Sequence, residues 1–219
     1  MREYELPTRE ECFSIIEEYR VAPHIVRHSR AVARLAVFLA ERLKGKGIPV
    51  DVELLERACL LHDIVRVCDF KDLDFSKFDG EITEKDTARW EGIRERFKDI
   101  SHEYAAYEIL KDKYPRVALT IKRHRYMDMP DEKERPNSWE EKLLFYSDLR
   151  VMHEKVVPLG ERLEDGHKRN VHLHGTEAQS RVNTAKVDPL IYGLEAEIFN
   201  VLGLDPLSVT DELVESYLR

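Results

Sequence analysis

The chain has 219 residues, 42% hydrophobic and 36% charged, which is enough for one well-formed core and predicts a single domain over residues 1–219. A net charge of −8 argues against a broad surface for extended nucleic acid, although a small nucleotide could bind a local cluster of Arg and Lys. No window reaches the roughly 18 to 20 uncharged apolar residues of a membrane span, and the first residues lack an apolar signal-peptide core, so we expect a cytoplasmic protein without membrane contact.

Apolar residues recur at helical spacing along almost the whole chain, and no stretch alternates as a half-buried strand would. The pattern therefore predicts an all-α fold. Pro23 suits the first turn of a long helix, and Thr210 suits the N-cap of a short terminal one. The predicted helices lie at about residues 8–19, 23–43, 52–65, 84 onward, 102–113, 115–125, 139–162, 188–201 and after 210.

A charged stretch at about residues 70–100 interrupts the helical pattern. It begins as irregular loop and becomes a helix where Thr83 and Asp86 resemble a capping box. We interpret this stretch as an insertion that could overhang a site. Trp90 and Phe97 have a helix-like spacing, and we expect them to dock the insertion onto the core rather than to stack on a nucleobase.

A polar stretch at residues 164–186 is only weakly periodic and predicts a loop or a mobile helix. It contains His167, His172 and His174, a cluster that could bind metal but has no cysteine or acidic partner in the pattern. We therefore expect these three histidines to be solvated. A C-terminal helical extension follows at about residues 186–219.

Histidines and aspartates lie on the apolar faces of five predicted helices. His28, for example, shares a side with Leu35 and Leu39, since residues three, four and seven apart line up on a helix. A single inward histidine is more often a satisfied core residue than a ligand. Six such groups are harder to explain, because burying each without compensation costs several kcal/mol. The six are His28, His62, Asp63, His102, His124 and Asp148.

One or two divalent metal ions would turn this cost into binding energy. Histidine and aspartate ligands suit Fe, Mn, Co, Ni, Zn or Mg. None of the six inward groups is a cysteine, which argues against a structural zinc site. Cys12, Cys59 and Cys68 have no CxxC spacing, and we expect them to be free thiols packed as small hydrophobes.

Three segments, VRHSRAVARLA, ACLLHDIVR and LLFYSDLRV, resemble the H...HD...D signature of the HD-domain metal-dependent phosphohydrolases, an all-helical superfamily. The resemblance covers about residues 24–162 and implies an HD-domain helical bundle that contains the charged insertion. By the same resemblance, the ligands of a primary metal would be His28, His62, Asp63 and Asp148.

Two further histidines, His102 and His124, stand where HD members with two metals take extra ligands. That version resembles members that hydrolyse dinucleoside polyphosphates or cyclic dinucleotides. The chain also departs from the commonest pattern: residues 64–66 read Ile-Val-Arg instead of the frequent Ile-Gly-Lys, and no Gly-Tyr-Pro motif follows. The missing motif counts against a cyclic di-GMP phosphodiesterase.

The resemblance implies a phosphohydrolase that acts on a nucleotide or another small phosphate ester through a metal-activated water. Asp63 is the candidate to bridge two ions and to serve catalysis. Arg66, one turn beyond His62, is the first candidate to grip a substrate phosphate, because an arginine fork suits phosphate oxygens. The further substrate-binding candidates are Lys122, Arg125 and Arg150.

Two alternatives stay open. Two bound metals would favour a dinucleotide diesterase or pyrophosphatase of the dinucleoside polyphosphate type. The other alternative is a catalytically silent metal- or nucleotide-binding module. With only one ion bound, His102 and His124 become candidates for phosphate binding or proton transfer. The expected partner is a small phosphorylated substrate, and the sequence does not decide whether the chain forms a homo-oligomer.

Overall fold

The computed structural model describes residues 5–71, 73, 78, 80–174 and 176–217, without the side chains of residues 173 and 174. These residues form ten α-helices and one antiparallel pair of two-residue strands, which confirms the predicted all-α class. The helices are α1 (Arg9–Glu18), α2 (Pro23–Gly45), α3 (Val52–Leu61), α4 (Glu84–Arg96), α5 (His102–Leu110), α6 (Pro115–Lys122), α7 (Trp139–Asp148), α8 (Leu159–Arg169), α9 (Glu177–Leu202) and α10 (Asp211–Tyr217). The strands are β1 (Val151–Met152) and β2 (Lys155–Val156). None of the helices in this described part combines the length and apolar composition needed to cross a bilayer.

The central helix of the core is α2, which packs against α3 and α7. Pro23 occupies its first turn, where an N–H would have no intrahelical partner anyway. Leu35 and Leu39 on its inner face are fully buried. The same face carries His28, whose ring reaches Asp148 at the end of α7. Hydrophobic burial along α2 therefore also sets one polar ring at a defined place in the interior.

α3 ends at Leu61, earlier than predicted. His62 and Asp63, which follow it directly, are buried in the core. The ring of His62 lies 2.7 Å from the carbonyl oxygen of Cys59. A continued helix would need that carbonyl for the N–H of Asp63, so the side chain competes with the next helical bond. The chain then enters a 3-10 turn at Arg66–Asp69.

The helix predicted over residues 139–162 is wrong: the structure has α7, the β1–β2 pair and α8 in its place. Arg150 supplies the physical reason. Its buried guanidinium donates to three backbone carbonyls, among them Val157 at 2.6 Å and Val209 at 3.2 Å. A helix that continued past Asp148 would carry Arg150 away from these acceptors, so tertiary hydrogen bonds break the helix that the local pattern favours.

The polar stretch at residues 164–186 is mostly helical, so of the two predicted alternatives, a loop or a mobile helix, the loop is wrong. α9 begins at Glu177, well before the predicted start at Asp188. Thr176 caps it by accepting a hydrogen bond from the N–H of Gln179 at 3.1 Å. The cap and the packing of the later turns of α9 against α7 stabilise a helix whose first turns have little apolar periodicity.

The described part of the charged stretch behaves as predicted. The N–H of Thr83 donates to Asp86 at 2.9 Å and the N–H of Asp86 donates back to Thr83 at 3.3 Å, a capping box at the start of α4. Trp90 and Phe97 are buried, and the indole N–H of Trp90 donates to the carbonyl of Arg20 at 2.9 Å. Both aromatic rings therefore dock this stretch onto the core. The domain limits and the role of the insertion stay predictions.

Candidate metal centre

The six predicted ligands meet where five helices converge. Five of the six lie at or next to a helix terminus, where the chain leaves the regular hydrogen-bond ladder and side chains from different helices can approach. Their positions are the first half of α2 for His28, the end of α3 for His62 and Asp63, the start of α5 for His102, the end of α6 for His124 and the last residue of α7 for Asp148.

The first cluster consists of His28, His62, Asp63 and Asp148. The Nε2 atom of His28 lies 2.8 Å from Oδ1 of Asp148. The Nε2 atom of His62 lies 3.6 Å from Oδ2 of Asp63 and 3.7 Å from Oδ1 of Asp148. Ligand atoms of His28, His62 and Asp63 all fall within 4.8 Å of one another, which is close enough for a single ion to reach them.

The second cluster consists of Asp63, His102 and His124. The Nε2 atom of His102 lies 3.0 Å from Oδ1 of Asp63 and 3.2 Å from Nε2 of His124. Ligand atoms of all three residues lie within 4.8 Å of one another. Asp63 thus belongs to both clusters, with one carboxylate oxygen facing each. The three cysteines are free thiols, as predicted, and none of them belongs to these clusters.

Each of the four histidines points Nε2 at the clusters and Nδ1 at an oxygen. A backbone carbonyl can only accept a hydrogen bond, so it fixes the proton on Nδ1 and leaves Nε2 with its lone pair in a neutral ring. A carboxylate orients a fourth ring in the same way. The Nδ1 contacts are His28 to the carbonyl of His153 (3.0 Å), His62 to that of Cys59 (2.7 Å), His124 to that of Ile121, and His102 to Oδ2 of Asp69 (2.6 Å).

These contacts show that a divalent cation fits the donor set. With its proton on Nδ1, His28 would direct a lone pair at the carboxylate of Asp148, and His124 would direct one at Nε2 of His102. The Nε2 atom of His62 is buried and has no hydrogen-bond partner among the described residues. A cation between these atoms would satisfy all of them at once.

The two aspartates stay ionised in this interior. Burial would raise the pKa of Asp148, but His28 and His62 outweigh it and hold that pKa well below its usual range. Burial likewise opposes ionisation of Asp63, and His62 and His102 hold its pKa well below the usual range. Two charged carboxylates are therefore available as ligands at neutral pH.

The two histidines of the second cluster differ in protonation. Burial would lower the pKa of His102, but the carboxylates of Glu103 and Asp69 raise it to about 10. Burial and the neighbouring charge of His102 lower the pKa of His124 to about 4. A metal that enters the second cluster must therefore displace a proton from His102 but none from His124 at neutral pH.

A charged network that the sequence did not predict surrounds His102. Burial would raise the pKa of Asp69, but His102 and the nearby guanidinium of Arg66 lower it to about 2. Nη1 of Arg66 lies 2.8 Å from Asp69 Oδ2, and Oε2 of Glu103 lies 3.3 Å from the Nδ1 atom of His102. The sequence gives little indication that Asp69 and Glu103 lie beside His102, since acids are frequent throughout this chain.

The four predicted phosphate-binding residues lie in different environments. Arg66 lines the cavity next to the clusters, and Arg125 does so while its Nη1 pairs with Asp128 at 2.6 Å. Lys122 pairs with Glu134 at 2.5 Å and is not among the described residues that line this cavity.

Arg150 requires a correction. Only 2% of the residue is exposed, and its guanidinium is bound by Tyr146 and by backbone carbonyls of the C-terminal region. The structure therefore places Arg150 in a buried hydrogen-bond network and not among the described residues that line the cavity.

A cavity of about 520 Å³ adjoins both clusters. Sequence reasoning missed several residues of its wall, among them Arg162, Tyr126 and His167. The hydroxyl of Tyr126 donates to Asp188 at 2.6 Å, and the ring of His167 lies 3.3 Å from the same carboxylate. The expected solvation of His167 is therefore wrong, because α9 supplies a partner that its own segment lacks.

The other two histidines of that segment stand differently. His172 is exposed, as predicted, and its ring lies 3.1 Å from the carbonyl of Asp69 at the cavity edge. The side chain of His174 lies outside the described residues.

Comparison with known proteins identifies a family whose match includes the six candidate ligands. The HD domain family matches residues 25–151, more than half of the chain and a range that contains all six ligands. The chain is also 22% identical over 208 residues to a tRNA (cytidine(56)-2'-O)-methyltransferase of Picrophilus torridus. That alignment covers 95% of this chain and 51% of the other, so the chain spans about half the length of this curated relative. No solved structure matches the chain significantly.

HD domains bind divalent metal ions, and the ligand clusters described above suit them. The chain belongs to the HD domain family.

Proposed function

We propose that the chain is a metal-dependent phosphohydrolase that acts on a nucleotide or another small phosphate ester. The observation that carries this proposal is the pair of clusters joined by Asp63 at the wall of one cavity. Metal held there would supply an activated water and would neutralise negative charge at phosphorus. Fe, Mn, Co, Ni, Zn and Mg all suit a set of histidine and aspartate ligands.

The chain's own residues position the donors. The first cluster, with His28, His62, Asp63 and Asp148, would hold one ion, and Asp63, His102 and His124 would hold a second. The four Nδ1 contacts keep the imidazoles from rotating, so their Nε2 atoms stay directed at the ions. Asp63 would be a ligand in both clusters and is our candidate for the catalytic carboxylate.

Arg66 supports substrate binding in this proposal. Its Nη1 donates to Asp69, and neither Nη2 nor Nε makes a hydrogen bond to a residue that the structure describes, so both can serve an anion. The carboxylates of Asp63 and Asp69 offset the burial of this guanidinium and keep its pKa above the ordinary value. A permanently charged donor beside the clusters suits phosphate oxygens. The cavity volume of about 520 Å³ is within the range of small-molecule sites.

A second candidate activity is a dinucleotide diesterase or pyrophosphatase. The presence of two clusters supports it, because a pair of ions can stabilise both the attacking and the leaving oxygen of a phosphoryl displacement. The presence of all six ligands counts against the alternative of a catalytically silent binding module. The name of the Picrophilus relative refers to a protein about twice as long, and it is a reason to include tRNA among the compounds tested.

The test combines metal counting with a substrate screen. The purified protein is analysed for metal per chain and then assayed on nucleotides, dinucleoside polyphosphates, simple phosphate esters and tRNA, with each candidate metal added. We expect hydrolysis of one group of these compounds, seen as free phosphate from phosphate monoesters and as nucleotide products from dinucleoside polyphosphates. His62→Ala and Asp148→Ala should lose both first-cluster metal and turnover, whereas Asp112→Asn, an exposed control, should lose neither. A fully metal-loaded protein that is inert on the whole panel would favour the binding module, and active His62→Ala and Asp148→Ala variants with full metal content would exclude this site.

A further inference from the structure

We propose that Arg162 forms an anion subsite in the cavity wall and binds a phosphate group of the substrate. This inference rests on the proposed phosphohydrolase function, because it assigns a second phosphate-binding side chain to the same cavity. Arg162 lies in α8 and lines the cavity together with Arg66, His124 and Asp148. Only 13% of its side chain is exposed.

One hydrogen bond fixes the orientation of the Arg162 guanidinium and leaves its Nη1 and Nη2 groups available as donors. Its Nε donates to the carbonyl of Val151 at 2.9 Å, which holds the plane of the guanidinium. The nearest carboxylate, Asp165, lies 3.8 Å from Nη1, too far for a hydrogen bond. Neither Nη1 nor Nη2 makes a hydrogen bond to any residue that the structure describes. Both groups border the cavity, so an anion that enters it can accept from them.

The other arginines of the cavity are already paired. Arg66 lies 2.8 Å from Asp69, and Arg125 lies 2.6 Å from Asp128. Arg162 therefore has the least compensated charge of the three. Because the guanidinium fork matches phosphate geometry, a phosphate is the ligand class that this site fits best.

The fold makes room for this side chain at a local cost. A Cβ atom added at Gly166 would lie 3.3 Å from Nη1 of Arg162, a tight contact. Glycine inside a helix is less stable than alanine, so α8 gives up some stability at a position that borders the guanidinium. The turn at His153, with φ of +58°, reverses the chain before α8 and brings Arg162 back over the clusters.

The experiment measures binding of inorganic phosphate to the metal-loaded protein by titration calorimetry. We expect Arg162→Gln to weaken phosphate binding about 10- to 100-fold, the usual loss for a charge-assisted hydrogen-bonded contact. Arg162→Lys keeps the charge without the guanidinium fork, so its phosphate affinity should lie between those of the wild type and Arg162→Gln. Arg169→Gln is the matched control, since Arg169 lies in the same helix, is half exposed and pairs with Asp165 at 2.7 Å; it should bind as the wild type does. Metal content, which a structural collapse would reduce, should be unchanged in all three.

Equal phosphate affinity in Arg162→Gln and the wild type would overturn the inference, as would a metal-loaded wild type that binds no phosphate. If Arg162→Gln fails to fold, Arg162→Lys and Gly166→Ala decide the question: unchanged affinity in both would overturn the inference, and weakened affinity would support it. Failure of the proposed function looks different. In that case the wild type hydrolyses nothing, while Arg162→Gln still loses phosphate binding and Arg169→Gln does not.

Discussion

The two clusters share Asp63 but are held in place by different kinds of interaction. In the first cluster, backbone carbonyls of His153 and Cys59 orient both imidazoles. In the second cluster, the carbonyl of Ile121 orients His124, but the carboxylate of Asp69 orients His102. The position of a backbone carbonyl is set by the fold and does not change with pH. A carboxylate network, in contrast, changes with pH and with single charge substitutions. The comparison predicts a first cluster that tolerates changes in charge and a second cluster that depends on them.

The largest effect is expected from Asp63→Asn, because this residue belongs to both clusters. Metal affinity and turnover should each fall by more than about 100-fold, the upper end of what loss of an outer-shell partner costs. Elemental analysis after dialysis should find little metal in either cluster. The control is Asp112→Asn, which changes the same atoms on an exposed helix end. Retention of two metals per chain in Asp63→Asn would show that the clusters do not share a ligand.

Asp69→Asn should separate the clusters. The change removes the negative charge beside the His102 Nδ1–H and leaves one amide oxygen for the two N–H groups of His102 that Asp69 accepts from. It should weaken metal binding in the second cluster roughly 10- to 100-fold, while the first cluster keeps its affinity. Competition titrations with a chelator would resolve the two affinities. If both affinities fell equally, the proposed difference between the clusters would be wrong.

The pH dependence of the second cluster sharpens the same distinction. With a pKa of about 10, His102 is protonated at neutral pH, so metal binding releases its Nε2 proton. Affinity should therefore rise with pH, by about tenfold per unit between pH 6 and 8. His124, with its pKa lowered to about 4, contributes no proton in this range.

The measurement is a metal titration of Asp148→Asn, which leaves the second cluster intact. In the double variant with Asp69→Asn, the pKa of His102 should be lower, because one of the carboxylates that raise it is lost, and the affinity should level off at a lower pH. An affinity that does not change between pH 6 and 8 in Asp148→Asn would contradict the assigned protonation.

The smallest effect is expected from Arg66→Lys. The ammonium group can keep the ion pair with Asp69, so metal content should not change. The loss of one fork hydrogen bond to substrate phosphate should raise KM about fivefold, since a hydrogen bond is worth about 1 kcal/mol. Steady-state kinetics on the substrate found in the screen would measure it, and an unchanged KM together with a lower metal content would move Arg66 from substrate binding to support of the second cluster.

The ligand positions were predictable because they follow from local geometry. Apolar spacing along α2 is enough to place His28 inward, and the oily run before His62 and Asp63 is enough to bury that pair. The same logic places His102 and Asp148 on the apolar faces of their helices. Helical periodicity depends on neighbours within two turns, so a single sequence contains it.

Arg150 and Arg162 show where this reasoning stops. The sequence pattern predicts both as parts of one continuous helix. In the structure α7 ends at Asp148, and the guanidinium of Arg150 donates to the carbonyl of the distant Val209. The same break turns Arg162 into the cavity. Neither position follows from local spacing, because the partners lie far away in the sequence.

The sequence by itself determined the helical class, the six inward ligands and the family that they indicate. The tertiary structure decided where α7 ends, which arginines face the cavity and which acids surround His102. The physical reason is the range of the interactions: burial of a helix face is set locally, whereas the pairing of Asp69 with His102 or of His167 with Asp188 exists only after distant segments have packed.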